Sequence, residues 1–98
     1  MIRSFSSKSR QPVGIEFPLL ECWNPISKAA SILALVDGKR ILCKIPLEVL
    51  VKKFRASADA PMQAVVEHRM ALRAVAKTLI EKSAYESDGS ILISHKDV

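Results

Sequence analysis

Ala30-Ser31-Ile32-Leu33-Ala34-Leu35-Val36-Asp37-Gly38-Lys39-Arg40-Ile41-Leu42-Cys43-Lys44-Ile45 is the stretch on which the reading of the fold turns. Asp37-Gly38 separates two strand-like runs, residues 30–36 and 39–45. That dipeptide suits a two-residue type I′ turn, whose positive φ angles Asp and Gly tolerate. In the second run Ile41, Cys43 and Ile45 alternate with Arg40, Leu42 and Lys44, so one face is apolar. The first run is apolar on both faces, as expected of a central strand. The stretch therefore predicts a β-hairpin.

Outward from the hairpin the period changes. Pro46 suits the start of a helix, where its missing N–H costs nothing. Leu47, Leu50, Val51 and Phe54 follow at helical spacing, with Lys52, Lys53 and Arg55 off that stripe. This helix is expected to end near Ala56. Asp59 can cap a second helix with Pro61 in its opening turn, and nothing interrupts that helix before about Ala84. Ser87-Asp88-Gly89-Ser90 reads as a turn, and residues 91–94 as a last short strand. On the other side of the hairpin, residues 13–17 alternate and stop at Pro18, as an edge strand does. Residues 19–28, with Asn24 and Pro25, read as a loop. The expected fold is α+β: a small antiparallel sheet, the hairpin plus edge strands, with two helices packed on one face in the order β-β-β-α-α-β.

The chain has 98 residues, 49% of them hydrophobic and 26% charged, which fits one domain with one modest core. Its net charge is +5, and Arg3, Lys8 and Arg10 supply part of it from an acid-free start. Residues 1–12, rich in Ser and without apolar period, are expected to be a disordered basic tail, and 13–98 a single domain. No secretory signal and no membrane span are legible, and Cys22 and Cys43 are too few for a disulfide framework, so a cytoplasmic protein with two reduced thiols is expected.

Residues that could carry chemistry are few. On a helical projection with Leu72 at zero, His68 falls at about −40° and Arg69 at about +60°, beside the buried stripe. As a functional pair they would form an anion site, Arg69 as a bidentate clamp and His68 as its titratable neighbour. As a structural pair, Arg69 would meet a carboxylate, Glu48 or Glu16, and His68 a backbone carbonyl; the structural reading is preferred. Cys43 reads as a buried inert thiol, although His68 is within conceivable reach across the helix–sheet interface. Two Cys and two His, His68 and His95, at unmatched spacing predict no metal site, and no phosphate loop or nucleophile elbow occurs. No cofactor and no catalytic constellation are expected.

Lys39, Arg40, Lys44, Lys52, Lys53 and Arg55 form the densest basic stretch. Without interleaved aromatics it reads as a solvated face more readily than as a nucleic-acid platform. The function expected is a non-catalytic protein-association module. The alternative is a weak nucleic-acid or anion binder through the basic hairpin and first helix. Met70, Ala71 and Ala74 fall outside the long helix's stripe, Val49 outside that of the first helix, and Leu42 on an otherwise basic strand face. With a helix of about 24 residues spanning roughly 36 Å, these predict an apolar patch and a symmetric homodimer through the helix surface or a sheet edge.

The ordered set Ile15-Glu16-Phe17-Pro18, Trp23, Val36, Gly38, Cys43, Ile45, Leu50, Phe54, His68-Arg69, Leu72, Ala76, Leu79 and Ile80 resembles a small bacterial family, domain of unknown function 1488, the YrdB-like proteins. Leu33 and Leu35 stand where that family commonly has aromatics. The resemblance implies the fold and no mechanism.

Overall fold

The computed structural model describes residues 14–98. The expected tail, residues 1–12, lies outside the described residues. The chain runs β1 (Ile15–Glu16), β2 (Glu21–Asn24), β3 (Ala29–Val36), β4 (Lys39–Pro46), α1 (Leu47–Phe54), α2 (Pro61–Glu67), α3 (Arg69–Glu81) and β5 (Ile91–Leu92), with a short 3-10 turn at His95–Asp97. The sheet order is β1-β3-β4-β5, and β2 also pairs with β3.

The hairpin is as the sequence dictates. Asp37 and Gly38 have φ of 51° and 87°, and eight residue pairs follow from Val36↔Lys39 down to Ala29↔Pro46. Side chains alternate strictly along it. Ala30, Ile32, Ala34 and Val36 of β3, with Cys43 and Ile45 of β4, enter the core under the helices. Val49 and Leu50 of α1, Val65 of α2, and Leu72, Ala76, Leu79 and Ile80 of α3 meet them there, closed off by Ile91 and Ile93. The architecture is therefore a sheet with one helical layer.

Several expectations are corrected. Residues 19–28 are not all loop, because β2 lies within them and pairs with β3 from Glu21↔Ile32 to Asn24↔Ala29. Asn24 accounts for the turn that follows: its side-chain oxygen accepts the N–H groups of Ile26 and Ser27 at 2.9 and 3.2 Å. β1 and β2 are one interrupted edge strand, since Phe17, Pro18, Leu19 and Leu20 stand opposite only Leu33 and Ala34. A proline that cannot donate to the ladder sits in that bulge.

The sheet is also not wholly antiparallel. β5 runs parallel to β4, Cys43 beside Ile91 and Lys44 beside Leu92. Asp88 secures this crossover. Its carboxylate accepts the Ser90 hydroxyl at 2.6 Å and amide at 3.0 Å, and the Lys44 ammonium at 3.1 Å.

Among the described residues there are three α-helices rather than two. The long helix expected from Asp59 to Ala84 divides at His68 (φ −109°, ψ 24°), so no single helix of the expected span exists. Its first turn is capped at Ala60 rather than Asp59, with Pro61 in the first position as the proline preference requires. Val49, expected off the stripe of α1, is fully buried in the core. Pro46 itself closes β4 and stands just before Leu47, the first residue of α1, making no side-chain capping bond.

Candidate functional site

The kink places His68 and Arg69 at the seam between the helical layer and the broken edge of the sheet. The Arg69 guanidinium grips Glu21 of β2 with two hydrogen bonds, Nε to Oε2 at 2.5 Å and Nη2 to Oε1 at 2.9 Å. Glu21 shares the face of its partner Ile32 and points to the helices; its side chain is only 9% exposed. The hydrogen bond from Arg69 holds the Glu21 carboxyl below its ordinary range, opposing the effect of burial, and the charges of Arg69 and Arg73 act in the same direction. The same bond raises the Arg69 guanidinium. Arg73, one turn further along α3, lies over the Phe17 ring at 5.7 Å. The His68 ring packs against Phe54 at 5.0 Å between centroids, tilted by 50°.

The carboxylate partner is therefore Glu21, not Glu48 or Glu16. Glu16 lies on the opposite face of the sheet, and Glu48 stands 3.8 Å from His95. Glu21 lies in the segment read as a loop, which hid this pairing. The Arg69 fork is directed at a carboxylate of its own chain, and its effect is to fasten the edge strand to α3.

The other candidates do not converge. Cys43 is fully buried, and burial pushes its thiol up to about 12, away from the reactive thiolate. Cys22 is exposed. Among the described residues no group of three or more His, Cys, Asp or Glu side chains could hold a metal ion. The six residues of the basic stretch separate. Arg40 and Lys44 stand on the sheet face away from the helices, Lys44 already bonded to Asp88, whereas Lys52, Lys53 and Arg55 cluster at the far end of α1. A shallow groove of about 300 Å³ runs between α3 and the C-terminal turn, lined by Val75, Leu79, Lys82 and Asp97 among others. Asp97 is occupied there, accepting the amide and hydroxyl of Ser94, both at 2.9 Å.

The sheet face turned away from the helices is the most distinctive surface. Across β3 its residues form rows. Glu16, Leu35 and Arg40 make one. Leu33 sits in the next, beside Leu42, with its amide donating to the Leu20 carbonyl at 3.1 Å. Cys22, Ser31, Lys44 and Leu92 make a third. Leu33 is only 6% exposed, while Leu20, Leu42 and Leu92 are 50%, 48% and 39% exposed. None of the described helices covers this face, because all three pack on the other side. The sequence carried a trace of it: β3 is apolar on both faces, and Leu42 interrupts a basic strand face.

A family model described as a protein of unknown function, DUF1488, matches residues 15–93, from the first residue of β1 to just past β5. The chain belongs to the DUF1488 family. A crystal structure at 1.60 Å resolution of a DUF1488 protein of unknown function from Shewanella loihica PV-4 is similar, with a TM-score of 0.74. The two chains are 23% identical, and the match covers 81% of this chain and 90% of the other. At that identity the likeness concerns the DUF1488 fold, which is the α+β class expected from the sequence. No curated protein matches this chain. Among the described residues no helix is long and apolar enough to cross a membrane.

Proposed function

We propose that this DUF1488 protein is a non-catalytic association module whose contact surface is the sheet face away from the helices. One observation carries the reading: Leu20, Leu42 and Leu92 stay partly exposed around Leu33 on a face that no described helix covers. A soluble domain gains by burying such a group only against another surface, and contiguous apolar patches of this kind mark contact sites. The chemistry of the Arg69 and Cys43 sites points the same way, since one guanidinium is paired and the one buried thiol is held protonated.

Site-specific photo-crosslinking in cells tests the assignment. A photoreactive side chain at Leu42 is expected to give discrete protein adducts. The same probe at Met70, 75% exposed on the helical layer, serves as the reference. Adducts from Met70 and none from Leu42 would overturn the reading. Nucleic-acid adducts whose yield collapses between low and physiological salt would replace it with the basic-stretch alternative.

A further inference from the structure

The rows of the open face are self-complementary about β3, and from this we infer that the face receives a second copy of this chain. The inference rests on the association reading above and adds the partner and the geometry. Glu16 and Arg40 flank Leu35 in one row, one rank to either side of β3. Neighbouring strands lie about 4.8 Å apart, so the two charges stand roughly 10 Å from one another and are not paired within the chain. Neither has an ion-pair partner among the described residues.

A two-fold axis lying in the interface along β3 exchanges the two sides of that strand. It sets Glu16 of one copy over the partner's Arg40, and Arg40 over the partner's Glu16. In the next row it sets Leu33 against its own counterpart, and Leu20 against the partner's Leu42. The third row brings Cys22 toward the partner's Lys44, whose charge Asp88 already balances within its own chain. The rows set acid to base at one end and leucine to leucine at the centre, and no like charges are opposed. A closed, isologous contact needs this property and a random surface lacks it.

Size fits the same occupant. The interrupted edge, β3 and β4 are each up to eight residues long and β5 is two, giving roughly 400 Å² in projection from each copy. Two such footprints total about 800 Å², in the range of weak, transient association. The dimer is accordingly weak.

Sedimentation velocity from ten micromolar to one millimolar, on the full chain, reads the outcome. The wild-type chain is expected to shift from one chain mass toward two. Glu16→Arg and Arg40→Glu each oppose like charges in both symmetric pairs, and each is expected to weaken the dimer at least about tenfold. The two together restore opposite charges and are expected to restore the dimer. Both residues are exposed, and circular dichroism confirms that each variant is folded. Leu42→Lys, placed at the centre, abolishes association whatever the orientation. Loss of dimer in Leu42→Lys without rescue by the double reversal would overturn the axis proposed while leaving the face as the contact surface. A single-chain mass at every concentration would overturn the second copy as occupant. In that event, Leu42 adducts to a different protein would preserve the association reading, and their absence would remove it as well.

Discussion

Gly38→Val isolates the contribution of the turn that fixes the hairpin register. The substitution is clean, because a Cβ built on Gly38 meets no atom within 4 Å. Its whole cost is therefore backbone: φ is +87°, a region that L side chains rarely adopt. Placing an ordinary residue in left-handed backbone costs about 1–2 kcal/mol, and β-branching raises that toward about 3 kcal/mol. With a urea dependence of about 1 kcal/mol per molar for a chain this small, the unfolding midpoint should fall by about 1–3 M. Gly38→Asn is the control, since Asn tolerates this conformation, and its midpoint should fall by a fraction of that amount. Urea titration followed by circular dichroism measures both. A Val variant with an unchanged midpoint would refute the primed turn. An Asn variant as damaged as the Val variant would refute strain as the cause and indicate a steric conflict instead.

Glu21→Gln and Arg69→Met should each lower stability, and the double variant should recover part of the loss, because removing both members leaves no buried group without its partner; strictly additive losses in denaturant titrations would show the pair to be uncoupled. The carboxyls of Glu21 and Asp88 lie below their ordinary values of 4.5 and 3.8, Glu21 through its bond from Arg69 and Asp88 first through its bond from the Ser90 hydroxyl. The unfolded chain therefore takes up protons first, so the stability these groups contribute is complete above about pH 5 and is lost progressively as pH falls below it. Glu21→Gln should flatten that acid limb in melting temperatures measured from pH 6 to pH 2, and an unchanged slope would contradict the assignment. A thiol reagent at neutral pH should modify Cys22 in the folded protein and reach Cys43 only on unfolding, counted by absorbance; rapid reaction of both would show the core to be open. Leu72→Ala empties a fully buried position beneath the sheet and should cost about 3–5 kcal/mol by urea titration.

What the sequence disclosed depended on range. The hairpin was legible because Asp37-Gly38, the apolar run before it and the alternating run after it are local chemistry, complete within sixteen consecutive residues. β2 was hidden because Asn24 and Pro25 speak for a turn and only three residues of the strand precede them. The kink at His68 carries no Gly or Pro, and it coincides with contacts distant in sequence, His68 on Phe54 and Arg69 on Glu21. Periodicity could place Arg69 beside the buried stripe yet could not choose its partner, since Glu16, Glu21 and Glu48 all lie on other elements. The parallel placement of β5 is likewise a property of the whole crossover and not of Ile91 and Leu92. The open face was visible only as two anomalies, a strand apolar on both sides and a leucine among lysines and arginines, and the topology made one surface of them.

The interrupted edge has a consequence for how this protein avoids fibres. A sheet with two long free edges invites other chains to add strand upon strand without limit, and a chain rich in Val, Ile and Leu is prone to it. Here one border is broken by the four-residue excursion around Pro18, so no uninterrupted row of amides is offered for templating. At the opposite border β5, two residues long, pairs only Cys43 and Lys44 of β4, and the rest of that edge carries the charges of Lys39 and Arg40, which deter strand addition. Extension sideways is hindered at both borders. Straightening the excursion, by deleting Pro18 and Leu19, would bring β1 and β2 into one register with β3 and open a continuous border. The expected result is a protein that fibrillates on agitation, read by thioflavin fluorescence, where the parent stays clear.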